Sequence, residues 1–304
     1  MDNTQTSKRK LLFVINPVAG DRDKGPAESA IEEYCADRSW DYRLMRTTGE
    51  KDEERIKTSI RDFVPDTIVA GGGDGTVNLI ASMLRGQNQK LGILPLGSAN
   101  GLATEFGISS NVREALDVLH KGKLITMDAL LLNDRYHSFH LADIGYNAKM
   151  IQQLEESKKW GQWSYVLEFF RNMKERPVSN VHIKLPHREL KREVVMITFA
   201  NARRYGTGAV INPRGKINDG KFEVCVFRPW PRWYLFKLGF LFFIGQLDES
   251  DYVDIYSTES VVIKTEGQIP FQSDGEVLGE IQSLKVEIEQ EAVPVWVDQE
   301  YSCS

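Results

Sequence analysis

The 304-residue chain predicts a fold in two parts: an α/β half built on a parallel sheet with helices on both faces, then a β-rich half folded as an antiparallel sandwich. Three observations predict it. Apolar runs and amphipathic stretches alternate from Leu11 to Leu119. Short β-rich runs replace that alternation beyond Gly122. Between them in character stands Gly71-Gly72-Gly73-Asp74-Gly75-Thr76, which joins an apolar β-branched run to an amphipathic one, as the strand-to-helix turn of a parallel sheet does.

Leu11 to Ile15 is a continuous apolar strand. Pro26 suits the first position of a helix whose inner face is Ala27, Ala30, Ile31 and Tyr34. Asp41 to Arg46 reads as a strand and Glu53 to Phe63 as a charged surface helix. Asp66 to Ala70 is the strand before the glycines, and Val77, Ile80, Ala81 and Leu84 repeat at helical spacing after them. Leu91 to Leu94 is the next strand; Gly97 to Phe106 and Val112 to Leu119 read as helices. In the second half, strands are expected at Ile125 to Leu132, His137 to Ile144, Val181 to Leu185, Val194 to Ala200, Phe222 to Phe227, Val261 to Thr265 and Leu284 to Ile288. Two helix candidates interrupt them, Trp160 to Met173 and Trp233 to Ile244. The expected domains are residues 1–124 and 125–291, with the tail 292–304 returning to the first, and the cleft between unlike domains is the expected ligand site.

A net charge of −5, from 38 basic and 43 acidic residues, argues against nucleic acid as a main partner, because a duplex needs a basic footprint. Cys35, Cys225 and Cys303 show no paired spacing, so neither a disulfide framework nor a zinc site is expected. Residues 1–10 are too polar for a signal peptide, and Trp233 to Ile244 is too short to span a bilayer. A cytoplasmic protein is expected.

Three turns carry candidate chemistry in the first half. A chain passing from strand to helix through glycines leaves bare amides at the positive end of the helix, which suits phosphate. Capping by Asp74 is the plainer alternative for that segment, yet it leaves three missing side chains unaccounted for. Asn16-Pro17-Val18-Ala19-Gly20 follows the first strand, either as an ordinary Asn-Pro turn or as a loop that meets a ligand. Leu96-Gly97-Ser98-Ala99-Asn100-Gly101 follows the strand after the glycines; Ser98 and Asn100 can hydrogen-bond a ligand, or Ser98 can cap a helix. The turns form one nucleotide site only if their strands are neighbours.

Asp219-Gly220 and Asp274-Gly275 sit in β-rich sequence, where Asp-Gly signals a hairpin turn. Asp274 and Glu276 would share one face of an extended strand and could act together. Trp160, Trp163, Leu167, Phe170 and Met173 form one aromatic stripe, and Pro229 to Ile244 holds a second with Arg228, Arg232 and Lys237 beside it. Either is core by default or an interfacial segment against lipid headgroups.

In order and spacing these residues resemble the diacylglycerol-kinase-type lipid kinases, a family that includes bacterial diacylglycerol kinases and sphingosine kinases. The likeness runs through Asn16-Pro17-x-x-Gly20, Gly72 to Thr76, Pro95-x-Gly97-Ser98-x-Asn100, Asn201, Gly206, Gly208, Pro213, Asp219-Gly220 and Asp274-Gly275-Glu276. It implies an ATP- and Mg²⁺-dependent kinase acting on a hydroxyl of a membrane lipid, diacylglycerol or a sphingoid-type alcohol. Asn16, Gly20, Gly72, Gly73, Asp74, Gly75, Thr76, Gly97, Ser98 and Asn100 would hold the nucleotide. Asp274 would act as general base with Glu276 beside it, while Asp74, Asp219 and Glu276 organise magnesium. The implied partner is a membrane surface met transiently; assembly as a homodimer stays open. At the third turn Gly101 stands where bacterial diacylglycerol kinases carry an acid, and sphingosine kinases have a small residue there. An NAD-kinase-like enzyme, which shares Gly-Gly-Asp-Gly-Thr, and a lipid- or nucleotide-binding regulator without turnover are the competing readings.

Overall fold

The computed structural model describes residues 9–302 except 22, 158–176, 205–209, 214 and 232. The expected helix from Trp160 to Met173, as well as Gly206 and Gly208, lies outside the described residues. The chain divides into two compact units, residues 1–126 with 293–301, and residues 127–292 with 302–304.

The first unit is built on strands β1 (Lys10–Ile15), β2 (Asp41–Arg46), β3 (Thr67–Gly72) and β4 (Lys90–Pro95), with helices α1 (Gly25–Asp37), α2 (Asp52–Phe63), α3 (Asp74–Leu84), α4 (Gly101–Glu105) and α5 (Val112–Lys121) between and after them. The strands lie in the order β4-β3-β1-β2 and all run parallel. β1, β3 and β4 are continuously apolar because both their faces are covered: every residue of β3 is buried. β2 at the edge alternates exposed and half-buried positions. Pro26 opens α1, and Asn111 caps α5 by accepting the Arg113 and Glu114 amides at 3.0 and 3.3 Å. The expected helix from Gly97 contracts to Gly101–Glu105, because Asn100 takes φ 53° and its side chain closes Gly97–Asn100 into a loop.

In the second unit the strands are β5 (Lys123–Leu132), β6 (Tyr136–Ser138), β7 (Leu141–Gly145), β8 (Ser179–Leu185), β9 (Arg188–Val194), β10 (Met196–Ala200), β11 (Phe222–Phe227), β12 (Val253–Thr258), β13 (Ser260–Ser273) and β14 (Glu276–Val297), with α6 (Tyr146–Ser157) and α7 (Tyr234–Ile244). The antiparallel order is β12-β11-β10-β7-β13-β14, and the β8–β9 hairpin joins the first half of β13. Inward residues such as Ile144, Ile183, Phe199, Val224, Ile263, Phe271 and Leu284 make one core. Two runs that look short in sequence are pieces of long strands: Val261–Thr265 lies in the 14-residue β13 and Leu284–Ile288 in the 22-residue β14. Polar and charged stretches and two register shifts between these strands hide their length. The expected single strand from His137 to Ile144 is broken at Phe139-His140, for a reason that concerns the site.

Buried Glu223 on β11 makes the fold pH-sensitive. Burial raises its carboxyl above the usual value, opposed by hydrogen bonds from Ser257 and Asn212. The folded chain therefore holds this proton more tightly than the unfolded one, and folding takes a proton up above about pH 4.3, the ordinary glutamate value. Stability from this group falls as pH rises through that window. Glu223→Gln cannot ionise, so its urea midpoint is expected to gain on the parent's between pH 4 and pH 7; parallel curves would remove Glu223 as the cause.

Candidate active site

β1 lies between β3 and β2, and β3 between β4 and β1, so the turns after β1, β3 and β4 emerge side by side at the carboxyl edge of one parallel sheet. That edge is where open α/β sheets bind ligands. The neighbour condition for a joint site is met.

The turns touch through backbone. The Leu96 and Gly97 amides donate to the Gly72 carbonyl at 2.9 and 3.1 Å, and the Asn16 amide donates to Gly71 at 2.8 Å. A Cβ on Gly97 would overlap the Gly73 Cα and stand 2.8 Å from its nitrogen; one on Gly20 (φ 63°) would stand 2.7 Å from the Leu96 carbonyl. A Cβ on Gly71 would strike Ile15, and one on Gly72 would strike Thr76. Packing thus bears on two of the three consecutive glycines, which the sequence pattern assigns to a phosphate cradle alone. Gly73 is the exception: a Cβ there meets only the Gly97 Cα at 3.5 Å, an ordinary contact.

Gly73, rather than Asp74, is the N-cap of α3, and no side chain caps the helix. The Thr76 and Val77 amides turn back to the Gly73 carbonyl at 3.0 and 3.1 Å. Helix geometry leaves the first-turn amide of Gly75 without an intrahelical acceptor, and the helix dipole adds positive potential there. Both fit an anionic group. The side chains around this turn are mostly engaged with one another. Asn16 Nδ2 donates to Thr76 Oγ1 at 3.4 Å, and Asp74 Oδ1 accepts the Leu102 amide at 3.4 Å. Asn100 accepts from the Gly97 amide and donates to its carbonyl, so it shapes its own loop; Ser98 is exposed in that loop.

One residue here escapes sequence reasoning. Lys24 is 7% exposed, and its ammonium donates to the Ala19 carbonyl and to the Leu96 carbonyl, the latter at 3.3 Å. It ties the first turn to the third. A lysine ahead of a helix carries no distinctive spacing, so only its long-range partner reveals it.

In the second unit the structure is built around Asp274. Its backbone follows β13, whose register against β7 sets Ser273 opposite Ala142, and the Asp274 amide donates to Leu141 at 2.8 Å. Its carboxylate reaches across β6–β7. Oδ1 accepts from Ser138 Oγ, His140 N and Leu141 N at 2.8, 3.1 and 2.9 Å, and Oδ2 accepts from Phe139 N at 3.0 Å. Three successive amides turned onto one carboxylate cannot also serve a strand ladder, and this breaks the expected strand at Phe139-His140. Such a run of amides is an anion-binding nest. With one bond on Oδ2 among the described residues, a lone pair of that oxygen is left for a further donor.

Asp274 and Gly275 have φ 49° and 89°, the signature of a type I′ hairpin turn between β13 and β14. The expectation that Asp274 and Glu276 share one face of an extended strand is corrected: a turn separates them, and exposed Glu276 begins β14 opposite Ser273. Behind the turn, Gln272 accepts the Gly275 amide at 2.9 Å and donates to buried Asp143, which also takes Asn147 at 2.6 Å and Thr198.

Asp219-Gly220 is likewise a turn, with Gly220 at φ 75° and the Lys221 amide on Asp219 Oδ1 at 3.1 Å. Asp128, a residue the sequence does not single out, holds it. Its two carboxylate oxygens accept the Gly220 and Glu291 amides, each at 2.8 Å, and burial keeps its carboxyl above the usual range against the pull of those amides. Asn201 donates to the Asp128 and Phe139 carbonyls at 2.9 and 3.0 Å, bracing both the turn and the nest. Among the described residues no three His, Cys, Asp or Glu side chains group as a metal site. Asp74, beside the uncapped amides, fits a magnesium ion that arrives with a triphosphate, since Mg²⁺ commonly takes one or two protein carboxylates plus phosphate oxygens and water.

A family model described as the diacylglycerol kinase catalytic domain matches residues 10–132, and one described as the YegS C-terminal NAD kinase beta sandwich-like domain matches residues 141–297. The chain belongs to the diacylglycerol kinase-type lipid kinase family. A relative named "Probable lipid kinase YegS-like" from Yersinia enterocolitica is 31% identical over 70% of this chain and 73% of its own length. The namesake from Klebsiella pneumoniae is 31% identical over 67% and 71%. A diacylglycerol kinase structure from Bacillus anthracis superimposes with a TM-score of 0.75 at 20% identity, covering 96% of this chain and 97% of that one, which establishes the same fold. As a member of this lipid kinase family the chain is a kinase. No helix among its described residues is long and apolar enough to cross a membrane.

Proposed function

We propose that this kinase transfers the terminal phosphoryl group of ATP to a hydroxyl of a membrane lipid alcohol, either diacylglycerol or a sphingoid-type lipid. The observation that carries the reading is the Asp274 carboxylate, fixed by four donors with a lone pair of Oδ2 left for a substrate hydroxyl. A carboxylate so placed orients the acceptor and accepts its proton as the new P–O bond forms. The nest keeps both oxygens in one geometry, so no rotamer search precedes the reaction.

The N-terminus of α3, which no side chain caps, and the glycines around it support a triphosphate site, with Asn16, Gly20, Gly72, Gly73, Asp74, Gly75, Thr76, Gly97, Ser98 and Asn100 forming its walls. Asp74 would hold a Mg²⁺ ion bound with the triphosphate, which would supply neutralisation of charge on the transferred group. Asp219 and Glu276 are the further acids assigned to the magnesium ion in this reading.

An NAD-kinase-like activity is the second reading, favoured by the NAD kinase-like description of the second domain. The curated relatives, named lipid kinases, weigh toward the first. Purified protein with labelled ATP and Mg²⁺ is expected to label a lipid in mixed micelles of a lipid-alcohol panel, resolved by mass spectrometry, and to leave NAD unlabelled. Labelling of NAD alone would replace the lipid reading. ATP binding without turnover on any acceptor would make the chain a regulator.

A further inference from the structure

Helix α7 is apolar on both sides. In Tyr-Leu-Phe-Lys-Leu-Gly-Phe-Leu-Phe-Phe-Ile only Lys237 is charged. One side is spent on the fold: Tyr234, Leu238 and Leu241 are buried, Tyr234 packs on Tyr252 at 4.6 Å between ring centroids, and its hydroxyl lies 3.1 Å from Ser250 Oγ. The other side presents Trp233, Phe236, Phe240 and Ile244, which are 69%, 85%, 62% and 46% exposed. Their spacing of three, four and four residues sets them on one stripe. A helix apolar all round needs a second apolar environment.

We infer that α7 is the membrane-docking element of this kinase, lying in the plane of the bilayer interface with Trp233, Phe236, Phe240 and Ile244 inserted below the headgroups. The inference rests on the lipid-kinase reading, which requires the chain to meet a bilayer, and adds which surface does so. At 1.5 Å per residue the helix is about 16 Å long, half the roughly 30 Å of a hydrocarbon core, so it lies on the membrane and does not cross it. The four exposed side chains offer about 500 Å² of apolar surface. A stable contact between two copies needs about 800 Å² per partner, whereas insertion into a bilayer has no such threshold. Charge points the same way. Lys237 stands within the stripe, half-exposed and 3.7 Å from Asp251, on a stem long enough to bring its ammonium to lipid phosphates. A two-fold pairing of stripes would instead press Lys237 into apolar rings or toward its own copy.

The test uses the full chain without ATP and sucrose-loaded vesicles of phosphatidylcholine, with and without phosphatidylglycerol. The parent is expected to co-sediment. Phe236→Ser with Phe240→Ser is expected to weaken partitioning at least about tenfold, while Phe236→Trp retains it. Thermal melts of each variant accompany the assay; both rings point to solvent, so the serine variant should melt within a few degrees of the parent. Equal sedimentation of parent and serine variant overturns the inference. A parent dimer that the serine variant dissociates, with no vesicle binding by either, overturns it in favour of a contact between copies. Vesicle binding through α7 by a chain that phosphorylates no lipid upholds docking and removes the kinase reading, so the two failures are separable.

Discussion

Asp274→Asn is expected to lower lipid phosphorylation by about 100- to 10,000-fold, the usual contribution of a positioned acid or base. Two effects combine. The amide cannot take the hydroxyl proton, and its NH₂ must face a nest made of donors: Ser138 Oγ and the Phe139, His140 and Leu141 amides. At least one donor then loses its acceptor, at about 1–3 kcal/mol. Asp274→Asn is therefore expected to lose activity and to melt at a lower temperature than the parent. Ser138→Ala separates the contributions, since it removes one donor and leaves the carboxylate with three amides. Its rate should fall only several-fold. ATP affinity, measured by calorimetry, should be alike in all three proteins, because residue 274 lies outside the three nucleotide turns. Parent-like turnover in Asp274→Asn would exclude the base role whatever its stability.

Gly97→Ala carries the second large effect. The new Cβ would overlap the Gly73 Cα and lie 2.9 Å from Asn100 Oδ1. Backbone stands on one side and a loop-closing amide on the other, so no rotamer change relieves the contact, and overpacking of this kind costs about 1–3 kcal/mol. The protein should melt several degrees lower and bind ATP at least tenfold more weakly. Gly73→Ala provides the contrast. Gly73 has φ −93° and room for a Cβ, so the variant should melt like the parent. If the uncapped amides of α3 hold phosphate, that same methyl stands at the approach and ATP affinity should still drop. Unchanged affinity in Gly73→Ala would reduce the glycine run to a packing device.

Much of the first unit was legible because its signals are local. A β-branched run, a glycine turn and a helical repeat occupy consecutive residues from Asp66 to Leu84, and the structure follows them closely. Both Asp-Gly pairs were legible as turns for the same reason. What escaped depends on partners far along the chain. Lys24 finds Leu96, Asp128 finds Glu291, and Asp274 finds Ser138 to Leu141, and no short window of sequence contains both ends of any of the three. The nest escaped for a further reason: three of its donors are main-chain amides, and an amide has no letter in the sequence. Helix α4 was overextended because Asn100 reads as an ordinary helix residue until its side chain is seen closing the loop.

The grip on Asp274 has a consequence for how this protein can vary. Since peptide nitrogens do most of the holding, the grip itself does not depend on which side chains stand at positions 139, 140 and 141; those are buried, and packing rather than the acid constrains them. Proline at any of the three would break the grip directly, for it alone brings no hydrogen to the bond. The pose of this carboxylate is thus written into the course of the main chain from Ser138 to Leu141, and rerouting that stretch would carry the acid with it.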